Sequence, residues 1–300
     1  MGVPIGVFYY MDYHEHLLAS GSPLFLKEPL CQEPIYAEVI LTHGRGEHSG
    51  RYGHVTKALA AHGLRLWSYD LRGHGRSGGV RGDLPAYSAL LDDLDRVIGF
   101  VKEKTTAPIF LLGHSLGGQI TLNYLQSRKF DGRGAIVASP YLRLAYTPPR
   151  WRLILAGAAR WIWPSLTQPT PLPWERLSRD QAHLASFPDP ELTHHLISAR
   201  MYHAIRNGAL SALAGAANLK VPLLLIHGAE DLVTSVEATR EFFSALGSSD
   251  KTLRIYPEML HETHNDIGRE QVISDIIGWI KSRAGGNATG IRNSASMNEK

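Results

Sequence analysis

Ser115 stands between Gly113 and Gly117 in the stretch FLLGHSLGG, which runs from Phe110 to Gly118. The apolar run before it reads as a buried strand, and GGQITLNYLQS after it reads as a helix. A serine at a sharp strand-to-helix turn has a defined chemical use. Small flanking residues let the backbone cross close to itself, the turn exposes the hydroxyl, and the helix aims its positive end at whatever is attacked. The Leu116 N–H would then point at the oxygen of a carbonyl under attack. A hydroxyl is a weak nucleophile, so it needs a base, and the base needs an acid to orient it. Without those partners, a glycine-rich turn explains the motif equally well.

The chain supplies both. VPLLLIHGAEDLVTS places Asp231 just past the end of a strand, and LRIYPEMLHETHND places His261 past the end of the next. Strands of a parallel sheet deliver their C-terminal ends to one edge, so three distant segments converge there. In that arrangement His261 takes the Ser115 proton and later passes it to the leaving group. Asp231 fixes the imidazole tautomer and stabilises its charged form. Glu230 and His264 are the competing acid and base. Asp266 follows the histidine and reads as a helix cap.

The elements that must position these residues alternate. Strand-like runs occur at Ile35–Thr42, Leu64–Asp70, Ala107–Gly113, Gly132–Ser139, Val221–Gly228 and Lys251–Pro257. Helical periods fall between them at Tyr52–Gly63, Tyr87–Lys104 and Gly117–Ser127, and Arg269–Arg283 closes the chain. This pattern predicts a mostly parallel sheet with helices on both faces. Two apolar patches around Ser20-Gly21-Ser22 predict an antiparallel hairpin at the sheet edge. From Tyr141 to Leu219 the alternation breaks, with prolines and tryptophans clustered, as in an insertion of short helices. The polar, glycine-rich tail 285–300 reads as disordered.

LTHGRGEHSGRY, YDLRGHGRSGG, LLGHSLGG, IHGAEDLVT and YPEMLHE occur in this order. Together they resemble the monoacylglycerol lipase and lysophospholipase branch of the α/β-hydrolase superfamily, over Ile35 to Arg283. The resemblance implies an α/β-hydrolase core from 1–140 and 220–284, with 141–219 as a helical cap. It favours Asp231 over Glu230 and His261 over His264. It assigns the second oxyanion donor to the backbone N–H of Arg45, beside that of Leu116. It also implies a serine esterase acting on single-chain lipids, monoacylglycerol first, with a lysophospholipase or general carboxylesterase as the alternative. A serine peptidase of the same fold and a non-catalytic binding protein are further alternatives. Ser115 at the elbow argues against dehalogenases and epoxide hydrolases of this fold, which place Asp there.

Other motifs point nowhere new. GHGRSG (Gly73 to Gly78) fits a dinucleotide fingerprint in spacing, but GVRGDLP after it is no helix start. It reads as a loop beside the nucleophile, with Asp70 and Arg72 as a structural pair. The histidines near glycines show no metal-ligand spacing, so no metal or organic cofactor is expected. WRLILAGAARWIWPSL (Trp151 to Leu166) is either a helix packed on the core or a surface for transient membrane contact.

The 300 residues carry a formal charge of +3, with basic residues scattered, which argues against a nucleic-acid partner. Cys31 is the single cysteine, so no intrachain disulfide can form. The N-terminal residues lack the pattern of a signal peptide, and no apolar run reaches spanning length. A cytoplasmic location, peripheral to membrane at most, is expected. The sequon at Asn287 is read as chance. Oligomeric state leaves no mark in the sequence.

Overall fold

A computed structural model describes residues 11–285, except 172 and 186–188. The chain opens with an antiparallel hairpin, β1 (Tyr13–Leu18) and β2 (Leu24–Pro29). Then come β3 (Ala37–Thr42), α1 (Gly53–Ala60), β4 (Leu64–Tyr69), α2 (Ser88–Lys102), β5 (Ile109–His114), α3 (Leu116–Ser127) and β6 (Gly134–Ala138). An inserted segment carries α4 (Arg150–Ile162), β7 (Thr167–Pro169), α5 (Gln181–Ala185), β8 (Leu196–Ser198) and α6 (Ala199–Ala214). The chain returns to the sheet through β9 (Leu223–Gly228), α7 (Val236–Ala245), β10 (Lys251–Tyr256) and α8 (Arg269–Lys281).

Eight strands form one open sheet in the order β1-β2-β4-β3-β5-β6-β9-β10. The six strands from β3 to β10 run parallel, and the hairpin joins β4 antiparallel at the edge. Both expectations for the sheet hold. The reason lies in the residues: a strand covered on both faces is apolar along most of its length, because successive side chains alternate between faces. β5 is buried throughout. Its Phe110 and Leu112 join Val39, Leu41 and Ile226 against α1 and α8, while Leu111 joins Ile40, Val137 and Leu225 against α2, α3 and α7.

The insertion contains more than short helices. β7 and β8 pair as a small antiparallel ribbon, a feature too short to show a period in sequence. α6 packs into the same apolar cluster as the sheet through Met201, Ile205 and Ala212. Gln119, Asn123 and Gln126 lie on one face of α3, at spacings of four and three. Their amides donate to the Ile205, Gly208 and Ala212 carbonyls of α6 at 2.9, 3.0 and 2.9 Å. α6 is thereby fastened to the helix that begins at Leu116. The 286–300 tail and the Asn287 sequon lie outside the described residues. Among the described residues no helix is long and apolar enough to cross a membrane.

Candidate active site

The turn from β5 into α3 holds Ser115 at φ 53°, ψ −115°, a conformation that costs a non-glycine residue about 1–3 kcal/mol. The surroundings fix it there. Ser115 N–H donates to the Ala138 carbonyl at 3.0 Å, and its own carbonyl accepts Gln119 and Tyr141 N–H groups, each at 3.0 Å. The flanking glycines are sterically required. A Cβ on Gly117 would overlap the Thr42 carbonyl oxygen, and one on Gly113 would meet Gly117 O and Thr121 Oγ1 at 2.5 Å.

The ends of β9 and β10 bring the other two residues to the same edge. His261 Nε2 lies 3.0 Å from Ser115 Oγ, and His261 Nδ1 lies 2.7 Å from Asp231 Oδ2. An ionised carboxylate can only accept, so Nδ1 carries the proton and Nε2 is free to take one from serine. Asp231 is buried, with Oδ1 accepting Val233 and Thr234 N–H at 2.7 and 3.0 Å, and Oδ2 accepting Thr234 Oγ1 at 2.8 Å. His227 Nε2 adds a further contact at 3.0 Å. Burial alone would raise the Asp231 pKa; His261 and His227 outweigh it and hold the carboxyl well below its ordinary range. The competitors stand aside. Glu230 is exposed, and His264 stacks on Tyr52 at 4.9 Å instead of reaching Ser115.

The loop after β3 runs against Ser115: a Cβ on Gly44 would lie 3.2 Å from Ser115 Cβ. Arg45 follows, and neither its N–H nor that of Leu116 is taken by a hydrogen bond among the described residues. For Leu116, the first residue of α3, that is the normal state of a helix start. Two backbone donors are thus available beside Ser115. The Gly44–Arg45 loop is held by a buried charge network that sequence reading missed. Glu47 Oε1 accepts the Gly44 N–H at 2.6 Å and the Tyr52 hydroxyl at 3.0 Å. Arg51 bridges Glu47 at 2.8 Å and Glu262 at 2.6 Å, which ties the loop to the neighbour of His261.

Burial disfavours the Glu47 charge, yet Arg51 and His114 hold its carboxyl well below the ordinary range. Burial likewise opposes charge on His114, but the Glu47 hydrogen bond and charge raise its pKa. In sequence, Glu47 and Arg51 sit four apart, the spacing of an exposed helical pair. Nothing local marks them as buried.

Two sequence expectations need correction. Asp266 caps no helix: α8 has Gly268 at its N-cap, without a side-chain bond. Asp266 instead accepts the Leu260 N–H at 2.7 Å and the Arg179 N–H at 2.8 Å, pinning the loop just before His261 to the insertion. Asp70 and Arg72 do not pair with each other. Asp70 accepts the Ser49 and Arg76 N–H groups, both at 2.8 Å, whereas Arg72 clasps Asp93 at 2.6 and 2.8 Å. Their sequence proximity hid opposite side-chain directions.

A pocket opens over Ser115 and His261. The sheet edge supplies its floor, and Trp174, Leu177 and His195 of the insertion line the other side. The insertion also grips the loop after β3 directly, since the His194 N–H donates to Gly46 O at 3.1 Å. No group of three or more His, Cys, Asp or Glu side chains is gathered for a metal among the described residues.

A family profile described as serine aminopeptidase, S33, matches residues 33–268. The chain belongs to this hydrolase family. A monoacylglycerol lipase of Mycolicibacterium smegmatis is 31% identical over 246 residues, covering 81% of this chain and 88% of that one. An uncharacterized abhydrolase domain-containing protein of Dictyostelium discoideum is 33% identical over 82% of this chain, which spans 26% of that protein's length. The crystal structure of a Paleococcus ferrophilus monoacylglycerol lipase superposes with a TM-score of 0.79 at 30% identity, covering 87% of this chain and 99% of that one. This S33 member is therefore a monoacylglycerol lipase-like α/β hydrolase, an enzyme of the carboxylic ester hydrolase type.

Proposed function

We propose that this hydrolase cleaves the ester of single-chain lipids, monoacylglycerol first, through an acyl-enzyme on Ser115. The observation that carries the reading is the unbroken chain of contacts from Ser115 Oγ to His261 to Asp231, at 3.0 and 2.7 Å. In the first half-reaction Oγ attacks the ester carbon as its proton passes to His261 Nε2. The Arg45 and Leu116 N–H groups receive the developing oxyanion; each such donor is worth ~10²–10³ in turnover. The tetrahedral intermediate collapses, the C–O bond to glycerol breaks, and Nε2–H protonates the departing alkoxide. Water then repeats the sequence against the acyl-serine. The released fatty acid leaves Ser115 as it began.

The relatives' names support the lipid substrate, and the apolar cluster of Leu177, Val233 and Trp174 at the pocket suits an acyl chain. Residues 141–219 would act as the cap that covers this chain. The exposed Trp161, Ile162 and Trp163, at 79, 84 and 60% exposure, suit contact with a lipid surface. Lysophospholipids are the runner-up substrates. Initial rates on monoacylglycerols of graded chain length, beside a lysophospholipid and a short nitrophenyl ester, test the reading with Ser115→Ala as control. Chain-dependent turnover that vanishes in the variant is expected. Cleavage of the short ester alone would overturn the lipid substrate.

A further inference from the structure

Gln119 is wholly buried on α3, one turn past the nucleophile. Its side-chain nitrogen faces two carbonyl oxygens, that of Tyr141 at 2.7 Å and that of Ile205 at 2.9 Å. Two acceptors can be met only by the NH2 end of the amide, so the carboxamide is fixed in one orientation. The backbone is engaged as well: the N–H groups of Gln119 and Tyr141 both donate to the Ser115 carbonyl, each at 3.0 Å. One residue therefore joins the nucleophile turn, the segment after β6 and the last helix of the insertion.

The two carbonyls belong to residues that line the pocket over Ser115. Ile205 is buried in one apolar cluster with Leu116 and Leu142, so it faces the inner part of the pocket and not its mouth. Asn123 and Gln126 also fasten α6, but at Gly208 and Ala212, which do not line this pocket. The fit at Gln119 is close. Its Oε1 accepts no hydrogen bond among the described residues, a cost that few buried amides bear. A Cβ on Gly208 would lie 2.8 Å from that oxygen and 2.7 Å from the Tyr87 ring. Ile205 and Gly208 are three residues apart and share one face of α6. The bare backbone at Gly208 thus lets that face, Ile205 included, approach α3.

We propose that Gln119 is a positioning residue for acyl-chain recognition: its carboxamide sets Ile205 and Tyr141 at a fixed distance from Ser115, and that distance decides which acyl chains fit. The inference rests on the lipid-ester reading and adds to it a residue outside the triad. A polar clasp suits the role, because a hydrogen bond fixes length and direction where apolar packing tolerates rearrangement. Apolar pockets discriminate by about 10–200-fold per methylene, so a small shift of Ile205 is readable in chain preference.

The test measures kcat and KM on nitrophenyl esters from acetate to decanoate, below their micellar concentrations, with monoacylglycerols in parallel. Gln119→Met keeps the length of the side chain and removes both donors. Gly208→Ala presses on the same contact from α6. Asn123→Ala loosens α6 away from the pocket and is the control. The decanoate-to-acetate ratio of kcat/KM should fall about tenfold in Gln119→Met, with the loss carried in KM, and should fall in Gly208→Ala also. Asn123→Ala should lower the urea midpoint and keep the wild-type ratio. If Gln119→Met does not accumulate as folded protein, Gly208→Ala alone decides. A ratio unchanged in these variants, or one that falls equally in Asn123→Ala, overturns the inference and reduces Gln119 to a structural tie. The nitrophenyl series varies the acyl chain alone. A lowered ratio without turnover of any monoacylglycerol therefore supports the positioning role and overturns the glycerol-lipid substrate. Wild type that cleaves no ester longer than acetate overturns both.

Discussion

The carboxylate of Glu47 accepts the N–H of Gly44 at 2.6 Å, one residue before the proposed oxyanion donor Arg45. The same carboxylate holds Arg51, which reaches on to Glu262 beside His261. One buried acid therefore holds both the Gly44–Arg45 loop and, through Arg51, the loop that carries His261. Glu47→Gln keeps the shape but loses the charge, leaving Arg51 with one counter-ion. We expect kcat to fall about tenfold or more while KM changes little, because the lost alignment matters only where charge develops. A rise in KM at constant kcat would place Glu47 in substrate binding instead.

Ser115 occupies its positive-φ turn at a cost that glycine would not bear. Ser115→Gly should abolish ester turnover and raise folding stability by about 1 kcal/mol, read as a shift in the denaturation midpoint. An inactive variant of lower stability would contradict a strained turn. The converse holds at Gly117, where any side chain strikes the Thr42 carbonyl; Gly117→Ala should fail to accumulate as folded protein.

Acid should destabilise the protein from an unusually high pH. Burial, with help from nearby arginines, holds His183 and His194 down to about 4, and His74 and His264 also lie well below 6.5. Between 6.5 and 4 the unfolded chain binds protons that the folded chain refuses, so stability falls as pH falls through that window. Glu47 and Asp231 add to the loss lower down: their depressed carboxyls stabilise above the ordinary carboxylate range and cease to as they protonate. Urea melts at graded pH should show a decline starting near neutrality, and His194→Asn should flatten it. A curve flat to the carboxylate range would contradict this.

The end of α4 should govern lipid-surface binding. Trp161→Ala should weaken flotation with liposomes and lower activity on emulsified lipid, while soluble short esters are cleaved as before. Unchanged flotation would reduce this segment to a covering of the core.

The contrast between legible and hidden features follows from the range of the interactions. Ser115 is legible because its glycines and the apolar β5 run are local. Parallel strands must end at one edge, which brings Glu230, Asp231, His261 and His264 there together; the choice of Asp231 and His261 among them rests on the motif resemblance. Glu47, Arg51 and Glu262 are not legible, because an acid and a base four apart look the same whether solvated or sealed. Their burial is decided by His114 and the loop after β10, distant in sequence. His227 reads as one residue of a strand, and only the fold reveals it against Asp231. Asp266 reads as a cap for a similar reason: its partner Arg179, 87 residues away, reaches it only when the insertion docks.

The most direct test of the central claim is fluorophosphonate labelling followed by peptide mapping of the modified protein. The account predicts one label per chain, on Ser115, with labelling greatly slowed in His261→Ala and Asp231→Asn. Ester hydrolysis by protein that takes no label, or takes it at another residue, would contradict Ser115 as the nucleophile and the mechanism built on it.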